Sequence, residues 1–312
     1  MMIKAKKIQR VLPLALLIFV TAGAFIRIED VTHAMLGALS VCAKALVPSI
    51  FPFLLLTELL LHVPYGKRAL SCLGKPFSFC FRTSRAGGAV YLIGILFGFP
   101  LAVKALAEYY KDNSITRKEA ERILLFSNNT GPAFLIGGVG ARLLHSVKMG
   151  LFLYLLQVLV SFVFGCVLGL LSKKENESTR KNSRSYVLPI SFSEIMRSST
   201  LQMLSICGYV AFFSVIGALL SPFVRALPMR AILYALLEVG SASSFVSSTL
   251  SSSPLLFPLL AFSICFSGLS VYLQSLDFLS ETDLSSSLYL PSKLLHGALA
   301  FFLSLLFFPC FA

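Results

Sequence analysis

The 312-residue chain is 56% hydrophobic and only 13% charged, with a mean hydropathy of +0.83. A soluble domain carries about a quarter charged residues, so a water-soluble globular enzyme is excluded and a membrane protein is indicated. The formal net charge of +13 does not mark a nucleic-acid binder, because the basic residues occupy short segments between apolar runs.

The chain opens on the basic stretch MMIKAKKIQR, followed by an apolar run over residues 11–26. That run falls short of the ~20 apolar residues a bilayer span needs, and with Ala22-Gly23-Ala24 behind it the segment would also suit a cleavable signal peptide. It is read as an uncleaved anchor helix, residues 1–33. A span over residues 34–61 follows, containing ALVPSIFPFLLLTELL, then the basic amphipathic segment GKRALSCLGKPFSFCFRTSR. Next comes AGGAVYLIGILFGFPLAVKALAEYY, interrupted at Gly98-Phe99-Pro100. The span expected over 123–141 carries turn chemistry in its middle, Ser127-Asn128-Asn129-Thr130-Gly131-Pro132, and 149–171 is unbroken.

The second half repeats these parts. A span over 201–220 leads through the connector SPFVRALP to MRAILYALLEVGSASSFVSSTL, with an interruption expected at residues 240–244. A span over 254–276 is broken at FSGLS, residues 266–270, and 294–312 closes the chain. The organisation is therefore an anchor (1–33), a first repeat (34–171), a cytoplasmic linker (172–190) and a second repeat (191–312).

The arms on either side of each interrupted segment are about 10–12 residues, too short to cross twice and suited to re-entrant hairpins. Each repeat then crosses three times, so the second starts from the opposite face. Inverted repeats with discontinuous helices are the mark of secondary transporters. Of the 27 Lys and Arg residues, 20 fall on one side: the N-terminus, residues 67–85, 111–122 and 173–184, Arg197 and Lys293. The positive-inside bias makes that side cytoplasmic, with the N-terminus and the first hairpin on it. The expected fold is an all-α polytopic membrane protein, an inverted repeat with two re-entrant helical hairpins and two broken transmembrane helices, in a bacterial cell membrane.

Backbone without water must find partners, so non-helical chain at membrane depth survives only inside protein or beside a wet cavity. The side chains of Asn128, Asn129 and Thr130 can replace lost helix partners or meet a solute. Among the charges in apolar segments, Lys104 and Glu108 have the spacing of a helical pair. Glu58 lies near a span end and is read as snorkelling, whereas Glu238, with no basic neighbour in sequence, is the functional expectation. The seven cysteines form no CxxC and no metal spacing with the four histidines. HExxH and GxSxG are absent, so no catalytic or metal residue is assigned and an enzyme is not expected.

Taken together, FPFLLLTELL, LFGFPLAVKALAEYY, ITRKEAERILLFSNNTGPAFLIGGVG, FSGLSVYLQ and KLLHG resemble the sporulation integral membrane proteins of the YlbJ type. That family carries nucleoside-recognition "Gate" domains, shared with concentrative nucleoside transporters. The resemblance spans residues 35–305 and is strongest over 94–140. It implies a central site where hairpin tips and unwound spans hold a solute. By position this points to Gly98, Pro100, Lys104, Asn128, Asn129 and Thr130, and to Glu238, Ser241, Ser243, Ser244, Ser267 and Ser270. The first tip departs from the transporters: Gly-Phe-Pro stands where they carry an acidic signature. The expected function is a secondary-transporter-like protein binding or moving a small polar or anionic solute, with a role in spore formation. A coupling Na+ or H+ is the one cofactor foreseen, and the bilayer, the solute and a second copy of the chain are the partners. The alternative is a non-transporting structural or assembly factor whose cavity is a relic.

Overall fold

The computed structural model describes residues 17–63, 65–172 and 191–307. The basic N-terminal stretch, most of the linker and the chain end from 308 lie outside the described residues. Among those described there is no strand. Helix α1 (Leu17–Ile26) leads through Arg27 into α2 (Ile28–Val41), a π-helical turn (Cys42–Leu46) and α3 (Val47–His62). The boundary expected at residue 33 falls inside α2. Short helices α4 (Gly66–Leu73) and α5 (Lys75–Phe81) precede α6 (Arg85–Leu96), α7 (Leu101–Lys111) and α8 (Arg117–Ser127). A π-helical segment (Ala133–Leu143) and α9 (Val147–Leu171) complete the first half. The second comprises α10 (Phe192–Leu220), α11 (Leu227–Leu237), α12 (Val239–Thr249), α13 (Leu256–Phe266), α14 (Gly268–Leu279) and α15 (Tyr289–Phe307).

Among the described residues, five stretches are long and apolar enough to cross a membrane: Ile28–His62, Val147–Leu171, Phe192–Phe223, Leu256–Leu279 and Tyr289–Leu306. Helix α9 shows why lipid is the solvent. Its exposed stripe is Val147, Leu151, Leu155, Leu159, Val163 and Val167, one every four residues. Its buried stripe carries Gly150, Gln157, Ser161, Gly165 and Gly169. Water would demand the reverse; lipid leaves leucine outside and puts small and polar groups where helices touch. A Cβ at Gly169 would stand 2.7 Å from the Phe81 carbonyl oxygen, so glycine lets α5 lie against α9.

Three of the four expected interruptions lie where the turn residues put them. The first hairpin bends at residues 97–100 with Gly98 at φ 86°, a left-handed value that glycine adopts without steric cost. Residues 128–131 are non-helical, and α13 hands over to α14 at Ser267 and Gly268, with φ 72° and 82°. The fourth is a correction. Residues 240–244 are helical, and the chain breaks at Glu238, whose φ of −155° and ψ of 126° are extended. The serines tolerate the helix because their hydroxyls donate to carbonyls a turn back: Ser243 to Val239 at 2.7 Å and Ser247 to Ser243 at 2.7 Å. Helix α10 begins nine residues before the expected 201, because Ser191 and Glu194 form a reciprocal capping box.

Candidate functional site

In each half the bend of one helix pair meets the break of the next. A Cβ at Gly98 would lie 2.5 Å from the Gly131 nitrogen, so the α6–α7 tip touches the break after α8. A Cβ at Gly268 would lie 2.9 Å from the Leu237 carbonyl oxygen, so the α13–α14 break touches the α11–α12 bend. The two junctions then meet. Thr130 Oγ1 donates to the Ile264 carbonyl at 3.2 Å, and Ser267 Oγ donates to the same oxygen at 3.0 Å.

The backbone freed at 125–130 is satisfied by protein. Gln157 of α9 clamps Thr130: its Oε1 accepts from the Thr130 N–H at 3.0 Å and its Nε2 donates to the Thr130 carbonyl at 2.9 Å. Lys293 of α15 donates to the Asn128 carbonyl at 2.8 Å, and Ser292 Oγ reaches the Leu125 carbonyl at 3.1 Å. The Asn129 amide folds back on the Phe126 and Ser127 carbonyls at 3.1 and 3.3 Å, completing the C-terminal end of α8. The Asn128 amide nitrogen donates to Ser275 at 3.0 Å and to Tyr289, while its Oδ1 is buried without a partner. Ser292→Ala removes one of these bonds and is expected to cost about 1 kcal/mol, readable as a small loss in detergent thermal unfolding.

Glu238 is buried and spans the other bend. Its carboxylate accepts the N–H groups of Gly240 (2.7 Å) and Ser241 (2.5 Å), which makes it the N-cap of α12. Ser241 is tied to Ser214 at 2.7 Å and Ser270 accepts from Gln274 at 3.1 Å. Ser243 bonds within its own helix, and Ser244 enters only as the carbonyl acceptor for Ser248.

Lys104 does not pair with Glu108, as its spacing suggested. It forms a buried ion pair with Glu58, 46 positions away, and the Glu58 carboxylate also accepts from Ser198 (2.8 Å) and Gln202 (3.1 Å). Glu58 is 4% exposed, not snorkelling. This network joins α3, α7 and α10 and lines one part of a cavity of about 690 Å³ that Gln274 and Asp277 also line. Of the twelve residues expected at the site, only Lys104 lines that cavity; Asn128, Asn129 and Thr130 are packed in protein. Beside Thr130 and Gly131 there is a second space of only about 10 Å³. The sequence did not single out Gln157 and Lys293, which bond the break, or Gln202 and Gln274, which line the cavity. Ser198 and Gln202, four apart in an apolar helix, were the one local signal.

Next to the cavity, which Lys111 and Glu281 line, the two halves are pinned by loop contacts. Lys111 pairs with Glu281, Arg117 with Asp283 at 3.2 Å, and the Tyr110 hydroxyl donates to Asp283 at 2.6 Å. Tyr110 and Arg117 hold the Asp283 carboxyl below the usual carboxylate range, and Lys111 does the same for Glu281. With their folded values depressed, these contacts are complete above the ordinary carboxylate pKa and are lost as pH falls through the lowered values. All are exposed and screened.

The chain is similar to the sporulation integral membrane protein YlbJ of Bacillus subtilis (strain 168), at 27% identity over 346 aligned residues covering 98% of this chain and 84% of YlbJ. No protein-family model matches the chain. No solved structure matches it either. The YlbJ-type resemblance carried by the break motifs is thus borne out along nearly the whole chain.

Proposed function

We propose that this multi-pass membrane protein, a relative of YlbJ, serves spore formation as a secondary-transporter-like protein that binds or moves a small polar or anionic solute. The observation that carries the reading is the joint at Ile264, where the break of each half donates to one carbonyl oxygen. Discontinuous helices that meet across two halves form the solute site of many secondary transporters. In this reading α6–α7 and α11–α12 are the re-entrant hairpins of an inverted, Gate-like repeat in the cell membrane, and the basic side is cytoplasmic.

The charges around the joint favour an anion. Lys293 is buried, 4% exposed, and among the described residues no carboxylate pairs with it. Its ammonium donates to the Asn128 carbonyl. A buried cation without a counter-charge is costly, and an anionic group entering between the breaks would relieve it. The cavity lined by Lys104 is the approach, and Glu238, a buried carboxylate that pairs with no basic residue among those described, is the candidate for proton or sodium coupling. The structural-factor reading has its own support, since protein groups satisfy the break and almost no space remains beside Thr130.

A thermal-shift screen of the purified chain against small carboxylates, nucleosides, nucleobases and metals tests this. A small acid is expected to stabilise the native protein, and Lys293→Met to abolish that shift. In a background without the exposed Cys72 and Cys80, a cysteine at Ser205 on the cavity wall should react with aqueous thiol reagents. No shift by any compound, with position 205 unlabelled, would leave the structural factor as the function.

A further inference from the structure

A third pocket lies apart from the joint, between the short helix α4 and helices α6 and α7. It encloses about 350 Å³ and is lined by Lys67, Arg68, Arg85, Ser71, Ser114 and Tyr109, among others. Lys67 is neutralised by Asp112 and lies 5.8 Å from the centre of the Tyr109 ring. Arg68 and Arg85 are exposed, and among the described residues neither has a hydrogen-bond or ion-pair partner. The Tyr109 hydroxyl is buried with no partner at hydrogen-bond distance, Ser71 being the polar group beside it. The pocket thus offers two unpaired guanidinium groups and several hydroxyl donors, and Asp112, the acid beside it, is already paired with Lys67.

The surroundings identify where its ligand comes from. Helices α4 and α5 have 8 and 7 residues, far too short to cross a bilayer. Yet they expose Leu73 (63%) and Phe79 (87%), with Tyr65 (74%) just ahead of them. Lys67, Arg68, Lys75 and Arg82 are interleaved with these apolar side chains. Apolar side chains facing outward among cations suit a helix pair lying in the membrane interface. That placement sets the pocket at the depth of the lipid headgroups.

We propose that this pocket binds the phosphate of an anionic phospholipid headgroup, gripped by Arg68 and Arg85 with hydroxyl donation from the Tyr109 side. Guanidinium groups bind phosphate oxygens in a bidentate fashion, and basic pockets at a membrane face are a recurrent headgroup site. The ligand chemistry, a phosphate ester, could also be supplied by a soluble molecule, and the test separates the two.

The full-length chain in a neutral detergent would be titrated with phosphatidylglycerol, phosphatidylcholine or soluble glycerol phosphate, and followed by native mass spectrometry and thermal unfolding. Phosphatidylglycerol alone is expected to remain bound and to raise the unfolding temperature by several degrees. The Arg68→Gln/Arg85→Gln variant should lose roughly tenfold or more in occupancy, the equivalent of one or more charge-assisted bonds. Lys75→Gln/Arg82→Gln, with the same charge removed outside the pocket, should retain it. Equal retention of phosphatidylcholine, or an equal loss in both double variants, would overturn the site. An equal shift from glycerol phosphate at the same concentration would overturn its assignment to lipid.

Discussion

A chain carrying Lys104→Met is expected to lose about 3–5 kcal/mol in a detergent-unfolding titration, the cost of leaving a buried charge without its partner. The Glu58 carboxylate is the group left behind. Ser198 and Gln202 would still donate to it, and the His62 ring nitrogen stands 3.3 Å from its other oxygen, but none of these takes the place of the ammonium at the first oxygen. The diagnostic is the second substitution. Glu58→Met added to Lys104→Met should return most of the lost stability, because an apolar pair of similar volume carries no desolvation penalty. A double variant as unstable as the sum of the two singles would show that the residues do not act as a pair. The same variants bear on the proposed function, since the pair lines the cavity: a folded double variant is expected to keep the joint at Ile264 but to change the charge of the cavity wall.

Gln157→Leu is expected to cost about 2–6 kcal/mol, because it strips both the N–H and the carbonyl of Thr130 of their partners at once and each buried orphan costs about 1–3 kcal/mol. Water cannot substitute at that position, as Thr130 is 1% exposed. Leucine fills similar volume and has no polar atom, so the loss reports the clamp and not a cavity. Leu155→Ala, two residues earlier on the lipid-facing stripe of α9, serves as the control and should change stability by less than about 1 kcal/mol. If both substitutions were equally mild, the break would not depend on α9 for its backbone partners.

These two expectations explain why Asn129, the residue most suggestive of solute binding in the sequence, is a poor first target. Its amide closes the carbonyl end of α8, so replacing it perturbs the fold before any ligand is considered. Lys293 is the better probe. It stands in KLLHG, which in sequence reads as one more basic residue near a span end. Only the packing of α15 beside α8 turns it into a buried cation on the break.

The sequence by itself determined the solvent and the segmentation. Apolar runs of bilayer length, with leucine and valine free to face outward, are a local property of composition. Gly98, Gly131-Pro132 and Ser267-Gly268 mark breaks for equally local reasons of backbone freedom and a missing donor. The Ser-rich run after Glu238 misled for a local reason too: serine reads as a turn former, yet its hydroxyl can return to the carbonyl a turn back in a helix. What only the tertiary structure decided is partnership. Whether Lys104 pairs with Glu108 or Glu58, which amide clamps Thr130, and whether the two breaks share an acceptor depend on groups tens to more than a hundred positions apart. No local pattern encodes such contacts, because burial and proximity exist only once the helices pack and water is gone from between them.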